Sequence, residues 1–197
     1  MKDLAYKILR PFFKLWFCLK FRPTVIGKEN IPKKGPIILC GNHKHIHDQY
    51  NVLIVTRRVV HYMAKDEYFK GKYAFFYKLV GCISVNRSIH DETAKNEALS
   101  ILNNGGAVGI FPEGTRNKTL GTKNEVTLLP FKYGAVSLAK KSNALIVPFG
   151  ITGDYTGKKG NLTTRIGKPF SVKDMDLETA NDVLREKILK LVQNEDK

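Results

Sequence analysis

The segment IILCGNHKHIHD, residues 37–48, decides the fold class of this 197-residue chain and points to its chemistry. Its first four residues are apolar and predict a short buried strand. His43 and Asp48 follow that strand, five positions apart. In sheets of parallel strands, ligands gather at the carboxyl ends of the strands. We therefore expect His43 and Asp48 at a sheet edge where a ligand binds.

Apolar runs and helical patterns alternate along the rest of the chain, after a connector over residues 23–36. This alternation predicts an α/β fold with a largely parallel, mixed central sheet flanked by helices. Residues 90–104 are typical of a helix, because acidic residues occupy the first turn and Gly105 ends it. The other predicted helices span residues 48–60, 73–80, 131–141 and 177–192. The predicted strands span residues 37–40, 61–64, 82–85, 107–111, 144–150 and 162–166.

The His43–Asp48 pair has the composition of a base with an orienting carboxylate. An imidazole accepts protons near neutral pH, and a carboxylate on one ring nitrogen makes the other nitrogen basic. The chain offers no convincing nucleophile, since Cys40 lies in the strand and is expected to pack inside. Direct attack by a substrate hydroxyl on an activated acyl group is therefore the predicted reaction. A purely structural role for His43 is the alternative.

A second motif, FPEGTR at residues 111–116, follows another apolar run. Arg116 ends this motif and Arg87 ends a further predicted strand, and paired arginines suit a phosphomonoester. Gly114 lets backbone N–H groups approach an anion closely. Glu113 can orient an arginine or a substrate hydroxyl, with a structural Glu–Arg pair as the alternative.

The chain is strongly basic, with 33 Lys and Arg residues against 18 Asp and Glu residues. Thirteen of the basic residues but only three acidic ones lie in residues 1–65. This front end favours an anionic partner, either membrane lipid or nucleic acid, over a merely solvated surface. The three cysteines are scattered without C-x-x-C spacing, which argues against a disulfide framework and a zinc ribbon.

Residues 1–24 have the pattern of an amphipathic membrane-association segment. A wide apolar arc beside a basic stripe is typical of a helix lying in the membrane surface, whereas a helix packed on a core has a narrower arc. Pro11 is expected to kink the helix or divide it. No signal peptide or spanning helix is expected, so the predicted location is peripheral, on the cytoplasmic face of the cell membrane. The charged residues of one narrow helix face are Asp3, Lys7, Arg10 and Lys14.

Four blocks of the chain resemble, in order, the motifs of the lysophosphatidic acid acyltransferases of the glycerolipid acyltransferase family. The first block is N-H-x4-D at residues 42–48, and the third is FPEGTR at residues 111–116. These two are specific. The second block is G-x-I-x3-R at residues 81–87, and the fourth contains Val147-Pro148. The resemblance covers residues 25–170 or so.

The resemblance implies a 1-acylglycerol-3-phosphate O-acyltransferase, with residues 25–197 as a single α/β acyltransferase domain. Such an enzyme moves a fatty acyl group from acyl-CoA or acyl carrier protein to the sn-2 hydroxyl of lysophosphatidic acid, making phosphatidic acid. His43 is then the base, Asp48 its partner, and Pro148 lies near the acyl site. No metal, other cofactor or nucleic acid is required. The residues implied for the acceptor are Arg87, Glu113, Gly114, Thr115 and Arg116.

Three alternatives stay open. His45 stands where the family usually has a serine, so another lysophospholipid or glycerol phosphate is possible as the acceptor. The alternating residues His43, His45 and His47 could belong to a metal-dependent hydrolase, although no downstream His–Asp set completes such a site. A non-catalytic basic module for membrane or RNA would explain the charge but not the ordered blocks.

Overall fold

The computed structural model describes residues 2–89, 91–117 and 127–193. Six α-helices occur in these residues, namely α1 (Lys2–Phe21), α2 (Asp48–Val55), α3 (Ala74–Leu79), α4 (Glu92–Asn103), α5 (Gly134–Ser142) and α6 (Leu177–Gln193). Seven strands occur there as well, namely β1 (Thr24–Ile26), β2 (Ile37–Gly41), β3 (Val60–Lys65), β4 (Ile83–Val85), β5 (Ala107–Ile110), β6 (Leu145–Thr152) and β7 (Thr163–Ile166).

The seven strands form one sheet in the order β1-β7-β6-β2-β5-β3-β4. Every neighbouring pair is parallel except β6 and β7, which are antiparallel. The predicted mixed, largely parallel α/β sheet is therefore confirmed. Since β2, β5, β3 and β4 are parallel neighbours, their carboxyl ends lie along one edge of the sheet.

Several predicted boundaries differ from the observed ones. The connector over residues 23–36 contains β1 and a single 3₁₀ turn, Lys28–Asn30, and β1 pairs with β7. The outer two residues of β1 are exposed, so β1 is not a buried apolar run, unlike the equally short β4, which was predicted. Helix α2 ends at Val55 rather than at residue 60, and α5 begins at Gly134 rather than at residue 131. Helix α4 begins after Asp91, whose carboxylate accepts a hydrogen bond from the Ala94 N–H. His90, where this helix was predicted to begin, lies outside the described residues.

The hydrophobic core has two parts, one on each face of the sheet. Successive side chains of a strand point to opposite faces, so Ile38 and Cys40 of β2 enter one part while Ile37 and Leu39 enter the other. Helices α4, α5 and α6 cover the first face, and α1 with α2 covers the second. Cys40 is fully buried, as predicted.

Helix α1 runs unbroken through Pro11, so the proline does not divide it. Its inner face is part of the core, where Phe17 and Phe21 are buried. The Nε of Arg10 donates hydrogen bonds to the carbonyls of Leu53 (3.2 Å) and Thr56 (2.9 Å) at the end of α2. The outer face carries large apolar side chains that are each more than half exposed, and these are Leu4, Ile8, Phe12, Leu15 and Leu19.

No helix within the described parts of the chain combines the length and the apolar character that crossing a membrane requires.

Candidate active site

His43 and Asp48 form a hydrogen-bonded pair in the loop between β2 and α2. The Nδ1 of His43 lies 2.7 Å from Oδ2 of Asp48, which is fully buried. The backbone N–H groups of Lys44 and His45 also donate to this oxygen, both at 2.7 Å. An ionised carboxylate only accepts hydrogen bonds, so Nδ1 of His43 carries the proton and Nε2 is the basic nitrogen. The arrangement is that of a general base with its orienting acid.

Aromatic stacking fixes the plane of the His43 ring. The imidazole lies parallel to the Phe111 ring, with centroids 4.2 Å apart and an interplanar angle of 16°. Phe111 stacks in turn on the half-buried Tyr62, at 5.8 Å and 15°. The absence of a side chain at Gly109 makes room for this stack, because a Cβ there would lie 2.5 Å from the Tyr62 ring. Phe111 thus contacts the face of the His43 ring, while Asp48 holds its edge through Nδ1.

Glu113 is a buried carboxylate that ties the FPEGTR segment to the His43 loop. Its Oε1 accepts a hydrogen bond from the backbone N–H of His43 at 2.9 Å. Its Oε2 accepts from the side chain of Asn117 at 3.1 Å and from the Leu129 N–H at 2.9 Å. The N–H of Asn117 donates to the His43 carbonyl at 2.6 Å. These contacts occupy both oxygens of Glu113. Together they fix the backbone N–H and the carbonyl of His43.

The predicted phosphate ligands lie together near His43, at the same edge of the sheet. Arg87 follows β4, whereas Thr115 and Arg116 follow β5, and all three are exposed. Arg87 donates a hydrogen bond to the carbonyl of Gly114. Gly114 has a φ of +70°, in the left-handed region, so this turn favours glycine. The structure thus brings these predicted residues together, and their role as phosphate ligands stays a prediction. The sequence did not single out Lys132, which lies beside Gly114.

One cavity of about 570 Å³ joins the two groups of residues. Its polar part is lined by His43, Arg87, Thr115 and Arg116. Its apolar part lies under α1, and the lining there includes Leu9, Phe13, Leu53, Phe76 and Val80. The cavity can therefore hold a molecule with one anionic and one aliphatic portion next to the imidazole.

Pro148 lies in the middle of β6, where it is buried and paired with Cys40 of β2. Its carbonyl accepts a hydrogen bond from the Gly167 N–H at 2.8 Å. Among the described residues, the cavity lining does not include Pro148. Its placement near the acyl site stays a prediction.

The rings of His45 and His47 lie next to each other, with centroids 4.9 Å apart, and each also contacts another aromatic side chain. His45 stacks on Tyr155, with centroids 4.2 Å apart, and His47 packs edge-on against Trp16 of α1. Burial lowers the pKa of both His45 and His47 below the usual value of 6.5, which favours their neutral forms. Across the described ranges, no group of three or more His, Cys, Asp or Glu side chains could hold a metal ion.

Sequence reasoning missed Tyr155, whose hydroxyl donates a hydrogen bond to Oδ1 of Asp48. Tyr155 lies in the segment between β6 and β7, more than a hundred positions from Asp48 and outside every motif. Asn51 of α2 donates to the same hydroxyl at 2.8 Å. No signal in the sequence pairs these positions, since a lone tyrosine in a polar loop has no periodic or spacing pattern.

Comparisons with known proteins identify the family. The acyltransferase family model matches residues 22–152. A 1-acyl-sn-glycerol-3-phosphate acyltransferase of Bacillus subtilis is 30% identical over 175 residues, covering 86% of this chain and 84% of the relative. One of Borreliella burgdorferi is 32% identical over 149 residues, covering 74% of this chain and 57% of the relative.

A solved structure shares the fold. The crystal structure of the 1-acyl-sn-glycerophosphate (LPA) acyltransferase PlsC from Thermotoga maritima matches all of this chain and 82% of its own, with a TM-score of 0.78 and 24% identity. The match to the family model covers most of the chain and includes both groups of site residues. The chain therefore belongs to the acyltransferase family and is an enzyme of acyl-group transfer.

Proposed function

We propose that the chain is a membrane-associated 1-acylglycerol-3-phosphate O-acyltransferase. It transfers a fatty acyl group from an acyl thioester to the sn-2 hydroxyl of lysophosphatidic acid, which makes phosphatidic acid. The observation that carries this proposal is one cavity lined by His43, by the exposed Arg87 and Arg116 and by apolar side chains, with the buried Asp48 bonded to His43. The activity for which the Bacillus subtilis and Borreliella burgdorferi relatives are named agrees with this substrate.

The proposed reaction uses His43 first as a base and then as an acid. Nε2 of His43 removes the proton of the sn-2 hydroxyl while the oxygen attacks the thioester carbonyl carbon. The tetrahedral intermediate collapses, the C–S bond breaks, and the thiolate takes the proton from the imidazolium. Asp48 stabilises the imidazolium between these two steps. No protein nucleophile, metal or other cofactor takes part.

The acceptor's phosphate is the proposed ligand of the arginine cluster. Arg87 and Arg116 both line the cavity close to His43 and are exposed. A phosphomonoester carries up to two negative charges and suits two guanidinium groups. Gly114 and Thr115 precede Arg116, and Arg87 donates to the Gly114 carbonyl. Glu113 contributes to this site by fixing the main chain of His43. The acceptor is thus anchored by its phosphate with its hydroxyl near Nε2.

The apolar part of the cavity is the proposed site of the fatty acyl chain. The side chains that line it come from α1, α2, α3 and β3. The thioester carbonyl then lies at the junction with the polar part, beside His43. Either coenzyme A or acyl carrier protein is a suitable donor for a chain this basic, because both are anionic.

The outer face of α1 is the proposed membrane contact. Residues 1–24 then form a membrane-association segment that precedes the acyltransferase domain, residues 25–197. Five large apolar side chains on this face are more than half exposed. Lys7 and Lys14 are exposed beside them and can contact anionic headgroups. A helix with these features lies in the plane of the membrane surface. We place it on the cytoplasmic face, which the three free cysteines fit.

A transfer assay with radiolabelled acyl groups tests the function. It crosses palmitoyl-CoA and palmitoyl-acyl carrier protein with lysophosphatidate, lysophosphatidylcholine and glycerol 3-phosphate. We expect phosphatidic acid from lysophosphatidate with at least one donor, and little product from lysophosphatidylcholine, whose choline removes one phosphate charge. If the enzyme preferred lysophosphatidylcholine or glycerol 3-phosphate, that compound would replace lysophosphatidate as the proposed acceptor. If no acceptor received an acyl group, the proposal would be refuted.

Membrane attachment needs point substitutions rather than deletion of α1, because Phe17 and Phe21 belong to the core. The double variant Ile8→Glu, Phe12→Glu changes only exposed side chains. We expect it to lose most of its sedimentation with phosphatidylglycerol vesicles, while Leu177→Glu, an exposed leucine of α6, binds like the wild type. Equal binding by the double variant and the wild type would refute the assignment.

A further inference from the structure

The two oxygens of Asp48 are held by different parts of the chain. Oδ2 accepts from His43 and from the two backbone N–H groups of its own loop. Oδ1 accepts from the hydroxyl of Tyr155, which lies between β6 and β7. Among the described residues, Tyr155 is the donor that prevents the carboxylate from turning about its own axis.

A buried chain of hydrogen bonds orients the Tyr155 hydroxyl. Thr164 of β7 donates through Oγ1 to Oδ1 of Asn51 at 2.9 Å, and both residues are fully buried. Nδ2 of Asn51 then donates to the Tyr155 oxygen at 2.8 Å. Because that oxygen already accepts from Asn51, its own proton points to Asp48. The direction of donation is therefore fixed from Thr164 through Asn51 and Tyr155 to Asp48.

The surroundings of Tyr155 favour its neutral form, which can donate a hydrogen bond. Burial, and then the charge of Asp48, raise the pKa of the Tyr155 hydroxyl well above its usual range. The geometry and this shift together make Tyr155 a donor to the Asp48 carboxylate.

The ring of Tyr155 is fixed from two sides. His45 stacks on it at 4.2 Å and 23°, and Phe21 of α1 meets it edge-on at 5.3 Å and 90°. His45 thus supplies an aromatic surface against which the Tyr155 ring packs.

We propose that Tyr155 is a positioning residue for acyl transfer, whose hydroxyl holds Oδ1 of Asp48 and thereby the orientation of His43, with His45 holding the tyrosine ring. This role rests on the proposed function of His43 as the base. The loop between β6 and β7, which lies outside the four motif blocks, would then also contribute to the active site.

The test is Tyr155→Phe, which keeps the ring and removes the hydroxyl. A hydrogen bond to a charged group contributes about 1.5–3 kcal/mol, which corresponds to a loss of roughly 10- to 100-fold in kcat. We expect this loss with KM for lysophosphatidate within about twofold. Asn51 and Asp48 each lose a partner, so the melting temperature should also fall by a few degrees, with the variant still folded at the assay temperature. The exposed Tyr133→Phe is the matched control and should leave kcat unchanged.

Two further measurements separate positioning from general damage. His45→Phe keeps the stack and should retain activity, whereas His45→Ser removes it and should lower kcat in the same sense as Tyr155→Phe. The Nδ1–H proton resonance of His43 in the ¹⁵N-labelled protein should shift in Tyr155→Phe and not in Tyr133→Phe.

Wild-type kcat together with an unmoved Nδ1–H resonance in Tyr155→Phe would overturn the proposal. So would a loss of activity that appears only in KM or only with unfolding. The resonance is independent of substrate identity: if the wild type transferred nothing to lysophosphatidate, the proposed function would fail, while a shifted resonance would still support the positioning role.

Discussion

The polar part of the cavity has two ends, one at His43 and one at the arginines, and they are organised in different ways. At one end, Asp48 is fully buried with four hydrogen-bond donors, and Glu113 fixes the main chain of His43. At the other end, Arg87 and Arg116 are exposed on the surface, and Arg87 donates a hydrogen bond to the Gly114 carbonyl. In the proposed reaction, the base is therefore held in place before substrate arrives, whereas the proposed anion site is completed by the phosphate itself. Preorganisation of the reacting group favours turnover, and a ligand-ordered anchor favours binding.

The largest expected effect is that of His43→Ala. Removing the general base should lower kcat by about 10⁴-fold, because proton transfer to a positioned side chain contributes up to this amount. Binding of lysophosphatidate, measured by equilibrium dialysis, should change little, since the arginines remain. Retention of even a tenth of the wild-type kcat would remove His43 from the chemistry.

Glu113→Gln probes the same rigid end through the main chain. The glutamine amide must place its N–H₂ group either against the His43 N–H or against the Asn117 and Leu129 donors, so at least one of these donors loses its acceptor. A buried unpaired polar group costs about 1–3 kcal/mol. We expect kcat and thermal stability to fall together, with kcat reduced roughly 10- to 100-fold.

The exposed Glu178→Gln is the control for this change. A Glu113→Gln enzyme that raised KM alone would mean that the carboxylate contacts the acceptor directly. That outcome would support the expectation from the sequence that Glu113 contacts the acceptor. It would also weaken the distinction between a prearranged base and an anion site that the ligand completes.

Arg116→Ala probes the ligand-ordered end and should have a smaller effect. Losing one charge-assisted contact of about 1.5 kcal/mol should raise KM for lysophosphatidate roughly tenfold, with kcat within a few fold. The exposed Arg57→Ala is the matched control.

A second acceptor sharpens this measurement. With 1-monoacylglycerol, which lacks the phosphate, Arg116→Ala and the wild type should behave alike. An equal rise in KM for both acceptors would show that Arg116 does not bind the phosphate.

The smallest expected effect is on stability at mildly acid pH. Burial lowers the pKa of His45 and His47 in the folded chain below the value of 6.5 expected when unfolded. The unfolded state then binds more protons, so the free energy of unfolding should fall as the pH drops below about 6.5. His45→Phe, compared with the wild type by urea unfolding at pH 7.5 and 5.5, should show a smaller loss. An identical loss would mean that His45 does not contribute.

Much of the sheet could be predicted because its central strands are short apolar runs. All five residues of β2 are buried, and such a run identifies a strand without any alternation. β1 was missed because it is an edge strand whose two outer residues are exposed, so it does not form a buried apolar run. The sequence also showed the wide apolar arc of α1 but not which part of the arc meets the core. That division depends on tertiary contacts, such as those of Phe17.

The site was predictable to the extent that it consists of local motifs. His43 and Asp48, and likewise Gly114 to Arg116, are close in sequence and follow strands that end at one edge of the sheet. Tyr155 and Lys132 join the site only through the folding of separate segments. Glu113 was assigned to the right motif, while its contacts with His43 and Leu129 could not be read from spacing.

The steady-state kinetics of Asp48→Asn test the central claim most directly, because asparagine keeps the size of the side chain and removes its charge. If the buried carboxylate holds the tautomer of His43 and stabilises its protonated ring, kcat should fall on the order of 10³-fold with KM for lysophosphatidate nearly unchanged. A kcat within a few fold of the wild type, or a loss confined to KM, would contradict the assignment of this pair as the catalytic base and its partner.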